Sequence, residues 1–392
     1  VRTQVGIIGA GPAGLFLSLL LHRAGVESVV LEAHTRSYVE GRVRAGVLEQ
    51  HTIDLMADLG VDDRLRREGM VERALDFRYS GKLIHLDFAS LTGGRTATVY
   101  GQQEVVKDLI NARLATGKPL LFEAEAVAVD GVDGERPVIR YQHNDAEATL
   151  ECDFIAGCDG FHGVSRPAIP ERAITAYDRI YPFSWIGILS ESPPIREMTY
   201  ANHERGFALA SRRSPKLARL YVQTKPGEGV EDWPDARIWD ELHIRLGDRD
   251  RSEIKEGRVI QKGINNLRAF VADPMQFGRL FLAGDAAHIV PPAGAKGLNL
   301  AVADVRVLAH GLIEFFRTGS TDRLDRYSET CLLRVWKIVR FSNFLTSLLH
   351  RFDTHTPFDR RVQLSELDYL ANSRAAQVTV AENYVGLPLA EG

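Results

Sequence analysis

Ser211, Arg213, Arg219 and Tyr221 stand in the stretch GFALASRRSPKLARLYVQT, residues 206–224, and they are residue types that recognise an anion. Phe207, Leu209, Ser211 and Arg213 alternate on one expected strand, Arg219 and Tyr221 sit on the next, and a turn at Ser214 to Leu217 joins them. Because strand side chains alternate with period two, pairing Arg213 with Arg219 sets Ser211 opposite Tyr221 on one face. A guanidinium grips a carboxylate through parallel N–H bonds, and hydroxyls fill its remaining lone pairs. The same residues also suit a solvated basic hairpin, and the local sequence leaves both readings open.

Three glycine-bearing turns carry chemistry of another kind. GAGPAG, with Gly9, Gly11 and Gly14, follows an apolar run and opens a helix, and Glu32 ends the next apolar run at the spacing where an acid meets a ribose hydroxyl. Such glycines let backbone approach a pyrophosphate, whose charge the helix N-terminus then holds. This motif points to a dinucleotide without choosing between FAD and NAD. CDGFHGVSR, Cys158 to Arg166, places Asp159 after a strand, where a plain Asp-Gly turn is an equal reading. In LFLAGDAAHIVPPAGAKGLNL, residues 280–300, a strand-like run stops at Gly-Asp, passes two prolines and two more glycines, and starts a helix. That join is a loop shaped to hold a ligand.

The elements around these turns set the fold class. Strand Gln4 to Ile8, helix Pro12 to Arg23 and strand Ser28 to Leu31 make a βαβ unit. Hairpin-like strands recur from Val127 to Ile155, and alternating strands with one helical patch fill the span from Tyr181 to Phe270. The last third is helical, with Val302, Val305, Leu308 and Leu312 on one apolar face and Tyr327, Cys331, Val335 and Ile338 on the next. We expect an α/β protein with a Rossmann-like domain over 1–180, a substrate-binding sheet domain over 181–270, and a return to the first domain plus a helical region over 271–392.

With 392 residues, 45% of them apolar, the chain can bury large cores. A formal charge of -4 offers no basic field to a nucleic-acid backbone, and no polybasic run suggests a membrane surface. Cys152, Cys158 and Cys331 fit neither a disulfide framework nor a zinc pattern, so a reducing cytoplasm is expected. The opening residues already read as a strand, and no apolar run approaches the roughly 18 residues of a membrane span.

Taken together, GxGxxG with an early Glu, Asp-Gly near 160 and Gly-Asp near 285 resemble the three fingerprints of the single-component FAD-dependent aromatic hydroxylases. RAGVLEQ, YGQQEV, YANHERGFAL, PPAGAKGLN and AENYVGLP extend the likeness to the branch that acts on 4-hydroxybenzoate, the 4-hydroxybenzoate 3-monooxygenases. In the wider family a Gly-Gln pair usually follows Gly-Asp, whereas Ala295-Lys296 here is similar to that branch.

The resemblance implies a homodimer that uses FAD, NADPH or NADH, and O2 to convert 4-hydroxybenzoate to 3,4-dihydroxybenzoate through a flavin C4a-hydroperoxide, with no metal. It implies that Ser211, Arg213 and Tyr221 bind the substrate carboxylate and that Arg219 lies toward the flavin. Tyr200 and Tyr384 would relay the phenol proton, with the Pro292 carbonyl beside the substrate hydroxyl; as isolated residues they read as packed aromatics. Gln102, Arg42 and Arg44 join the FAD set, with Asp285 accepting from the ribityl chain and Gly297, Leu298 and Asn299 aiming a helix N-terminus at the flavin ring. Tyr38, Arg42, His162, Arg166 and Arg268 would meet the pyridine nucleotide. Glu72 stands where well-known members carry a histidine at the solvent end of the relay, and we expect it to be solvated and of little consequence. Rival readings are a hydroxylase of 3-hydroxybenzoate or a related acid, and a flavin-holding redox sensor without catalysis.

Overall fold

The structure, a computed structural model, describes residues 1–44, 46–248 and 250–389. Strand Arg2–Ile8 is buried from Thr3 onward except at Gln4, and Ser28–Leu31 is buried at all four positions, as central parallel strands must be. Arg2–Ile8 lies between Ser28–Leu31 and Ala146–Gly157, and Leu280–Leu282 lies beyond, all parallel. The register has a functional consequence. Ile8 pairs with both Leu31 and Gly157, and Gly157 pairs with Leu282, so four strands end in one row. GAGPAG, Glu32, Asp159 and Gly284-Asp285 therefore leave the sheet side by side at its carboxyl edge, where open α/β sheets bind ligands.

Helix Pro12–Arg23 packs between helices Gln102–Ala115 and Gly297–Thr318. Its approach depends on Gly14, where a Cβ would stand 2.0 Å from the Gly9 carbonyl oxygen.

A second sheet is built on two long antiparallel strands, Thr175–Glu191 and Arg258–Asp273. Leu217–Thr224, Ala208–Ser214, Met198–Asn202, Ala74–Tyr79 and Lys82–Asp87 follow in order on one side, and His288–Ile289 closes the other. Alternation sorts its two faces. Ile186, Ala208, Leu220 and Val222 pack with Trp239 and Leu242 of helix Asp235–Leu246. Trp185, Tyr200, Leu209 and Tyr221 face the opposite way, toward Phe341, Leu345 and Tyr384 of the C-terminal helices Tyr327–Leu349 and Arg374–Val385. The apolar positions expected on the helices, Val302 to Leu312 and Tyr327 to Ile338, are buried.

The hairpin of residues 208–224 corrects the expected register. Ser211 pairs with Arg219 and Leu209 with Tyr221, because Ser214 and Leu217 close a two-residue turn and a bulge at Arg213 absorbs the odd residue. Ser211, Arg219 and Tyr221 still share a face, while Arg213 leaves the ladder.

Candidate active site

Along the carboxyl edge of the first sheet, the groups are arranged for a dinucleotide. Gly9 has φ 103, and a Cβ there would meet the Cys158 carbonyl at 2.3 Å; a Cβ on Gly11 would meet nothing within 4 Å. The first glycine lets two strand ends close up, and the second leaves space above the helix start. Glu32 accepts the Ala10 N–H at 2.8 Å and the His34 N–H at 3.0 Å, which holds its carboxylate at the strand end. Helices Pro12–Arg23, Gln102–Ala115 and Gly297–Thr318 all begin without a side-chain cap, leaving first-turn N–H groups for an anion.

Asp159 accepts from the Ser165 N–H and hydroxyl at 2.9 and 2.8 Å, yet its Oδ1 is buried without a partner. Asp285 is open to solvent, while crowding by surrounding protein pushes its carboxyl up, opposed by His288, Arg44 and Arg42. The carboxylate is thus accessible at the strand end, beside protein that disfavours its charge. His288 is buried on Asp304 at 2.6 Å, and Asp304 also accepts the Gly284 N–H at 3.0 Å, so the pair supports the turn that presents Asp285.

The buried face of the second sheet carries the other half of the site. Tyr200 O–H donates to the Ala293 carbonyl at 2.9 Å and lies 3.3 Å from the Tyr384 hydroxyl, which reaches Met198 Sδ at 3.1 Å. Burial pushes both phenols up, so each holds its proton at rest and can only pass it on. Pro292 lies exposed in the same turn, its carbonyl accepting the Ala295 N–H at 2.9 Å.

Across the sheet, Arg219 Nε donates to Tyr221 Oη at 3.0 Å, and Ser211 Oγ donates to the Arg219 carbonyl at 2.9 Å. The Tyr221 ring lies on Gly187, where a Cβ would stand 2.7 Å from it. Arg213 bonds the Arg44 carbonyl at 2.8 Å and Gln103. Burial lowers its pKa, Tyr221 opposes this and the Arg219 charge adds to it, so Arg213 is a desolvated cation that favours an anion.

His162, Arg166 and Arg268 gather around Phe161: Arg166 and Arg268 stack over its ring at 4.5 and 4.3 Å, and the His162 ring meets it edge-on at 5.0 Å. Tyr38 and Arg42 belong to a separate short helix, Arg36–Gly41, and its end, where Tyr38 stacks on His34 at 4.3 Å. Gln102, Leu298 and Asn299 sit in the first turns of their helices. Asn299 turns inward, its Oδ1 accepting the Glu49 N–H at 2.8 Å.

Residues 2–342 match the FAD binding domain family. The chain is 46% identical over 389 residues to p-hydroxybenzoate hydroxylase of Acinetobacter baylyi, covering 99% of this chain and 96% of that one. This chain belongs to the FAD-dependent aromatic monooxygenase family. A more distant relative, 3-amino-4-hydroxybenzoate 2-monooxygenase of Streptomyces cremeus, is 26% identical over 91% of the chain. The solved structure of p-nitrophenol 4-monooxygenase from Pseudomonas putida matches with a TM-score of 0.84 over 99% of both chains at 20% identity, a likeness of fold alone. This monooxygenase uses FAD, with NAD(P)H as reductant. The open space at Gly11, the three uncapped helix starts and the orphaned Asp159 oxygen fit that group.

Two parts of this monooxygenase's site escape sequence reasoning. Glu72 is not solvated. It is fully buried, its Oε1 accepts from Arg212 Nε at 2.7 Å, and its Oε2 has no partner. Burial pushes its carboxyl up against the pull of Arg212. The second is Lys296. This buried ammonium donates to Glu49 Oε1 and to the Tyr384 carbonyl, both at 2.7 Å, while Arg334 reaches Glu49 Oε2 at 3.0 Å.

Burial alone would raise the Glu49 carboxyl, yet Lys296, His51 and Arg334 hold it down at about 2. A carboxyl depressed on folding contributes stability above its ordinary pKa, and that contribution is lost as pH falls from about 4.3 toward about 2. Glu49→Gln should therefore cost about 3 kcal/mol at pH 7, since it strands a buried ammonium, and Lys296→Met added to it should recover part of the loss. Denaturant unfolding of the flavin-loaded proteins checks this, and a single-variant loss below about 1 kcal/mol would contradict it.

Proposed function

We propose that this monooxygenase hydroxylates 4-hydroxybenzoate to 3,4-dihydroxybenzoate, consuming NAD(P)H and O2. The observation that carries the reading is a single row of the second sheet. Tyr200 pairs with Leu209, and Leu209 with Tyr221, so the tyrosine pair and the cationic cluster stand two strands apart, about 10 Å between backbones, on one face. An aromatic acid with carboxylate and hydroxyl at opposite ends of its ring spans such a gap. The near full-length likeness to p-hydroxybenzoate hydroxylase supports the same substrate.

In this reading Arg213, Ser211 and Tyr221 hold the carboxylate, with Arg219 beside them toward the flavin. Tyr200 takes up the bond to the substrate hydroxyl and passes its proton to Tyr384, while the Pro292 carbonyl fixes the hydroxyl's direction. A phenolate pushes electrons into the ring carbon beside it, which is the carbon that receives oxygen. FAD, when bound, supplies hydride acceptance and O2 activation. Gly9, Gly11, Gly14, Glu32, Gln102 and Arg44 would hold its ADP half, and Asp159, Asp285 and Gly297 to Asn299 the ribityl and ring end. His162, Arg166 and Arg268 with Tyr38 and Arg42 would take the pyridine nucleotide. The proposal includes a homodimer working in the cytoplasm, both on the resemblance alone.

Incubation of the flavin-loaded protein with 4-hydroxybenzoate, O2 and either nucleotide tests the reading. Chromatography should show 3,4-dihydroxybenzoate, formed faster with NADPH but measurably with NADH, because Tyr38 and Arg42 are present while Ala33 offers no guanidinium to a 2'-phosphate. Nucleotide oxidation without hydroxylated product would contradict it, and a strong NADH preference would remove Tyr38 and Arg42 from the 2'-phosphate site.

Arg213→Lys should weaken 4-hydroxybenzoate binding by about 2 kcal/mol, because a point ammonium cannot replace a planar donor set. Flavin absorbance titration measures it, and an unchanged dissociation constant would take Arg213 out of the site.

A further inference from the structure

Arg213 lies at the bulge of its strand, so the sheet ladder does not set the direction of its side chain. Other contacts do. Its Nη2 spends both N–H groups on neutral acceptors, the Gln103 side-chain oxygen and the Arg44 carbonyl. It presses so closely on Gly101 that a Cβ there would stand 2.6 Å from Nη2. Gly101 caps helix Gln102–Ala115, and Gln103 is its second residue, so a rigid helix start presents the amide. Nη1 and Nε keep their N–H groups for a ligand.

The choice of amide matters. Among the described residues Arg213 meets no carboxylate in ion-pair contact, and the nearest charge acting against it is Arg219. A glutamine oxygen orients a guanidinium without neutralising it, whereas a carboxylate in the same place would fill the role of the substrate's own acid. The contact to the Arg44 carbonyl ties the same guanidinium to the segment that carries Arg42 and Arg44. We propose that Gln103 is the positioning residue that presents Arg213 to the substrate carboxylate, and that its being an amide rather than an acid keeps the site selective for a negatively charged substrate. The inference rests on the reading of Arg213 as the carboxylate-binding residue.

The test titrates flavin-loaded Gln103→Glu, Gln103→Met and Arg213→Lys with 4-hydroxybenzoate and with uncharged 4-hydroxybenzamide, following flavin absorbance. Gln103→Glu should weaken binding of the acid roughly tenfold or more, since the new carboxylate competes for the guanidinium, and leave the amide ligand within about twofold. Gln103→Met, which loses orientation but adds no charge, should fall between wild type and Gln103→Glu for the acid. Equal losses for both ligands in Gln103→Glu would mean general distortion and would overturn the proposal, as would no loss for either. If Arg213→Lys leaves binding of the acid intact, the reading beneath the proposal fails; if Arg213→Lys weakens it and Gln103→Glu does not, only the role of Gln103 falls.

Discussion

The contact between the Lys296 ammonium and the Glu49 carboxylate holds the two halves of the site together. Lys296 closes the turn Pro291 to Ala295, precedes the helix whose N-terminus faces the dinucleotide cleft, and bonds the backbone of Tyr384. Glu49 lies 247 residues away and is itself fixed by Arg334, His51 and the Asn299 amide. An ammonium so deeply buried is tolerated only with near-complete partnering. Because those partners lie on four different elements, the turn, the helix start and the relay tyrosine cannot shift independently. Ala295, which has a left-handed φ of 53 without being glycine, is held inside this network.

From that anchor the division of labour follows. The first sheet ends four strands in one row, so turns distant in sequence meet as a dinucleotide cleft. Pairing across the second sheet sets Tyr200 and Tyr221 at the two ends of one row. The Gly284 to Gly297 loop joins them: Asp285 stands at the carboxyl edge of the first sheet, and the Ala293 carbonyl accepts the Tyr200 hydroxyl. One loop therefore carries a group at the end of the first sheet and a partner of the tyrosine on the second.

Much of this was readable from the chain because its signals are local. GxGxxG, Asp-Gly and Gly-Asp each place glycine and acid within a few residues of a strand end, and periodicity gives the strand and helix types. Ser211, Arg219 and Tyr221 share one face in the expected register and in the observed one, since a two-residue change of partner keeps the alternation. Their register is not legible in the sequence, because the bulge at Arg213 shifts the ladder by one residue beyond the turn and leaves no mark in composition. Glu72 read as solvated because its partner, Arg212, lies 140 residues on and shares no motif with it. Lys296 and Gln103 carry no signal of burial or pairing in their neighbours, so only the tertiary structure shows what they hold.

On the proposed reading the tyrosine pair ionises a phenol whose carboxylate is clamped across the same sheet. That ionisation is read from the ultraviolet difference absorption of 4-hydroxybenzoate bound to the flavin-loaded protein, titrated with pH in wild type and in Tyr200→Phe. In wild type the bound phenolate should form at lower pH than the free phenol, and Tyr200→Phe should move the transition back toward the free value. Superimposable titrations in the two proteins would contradict it.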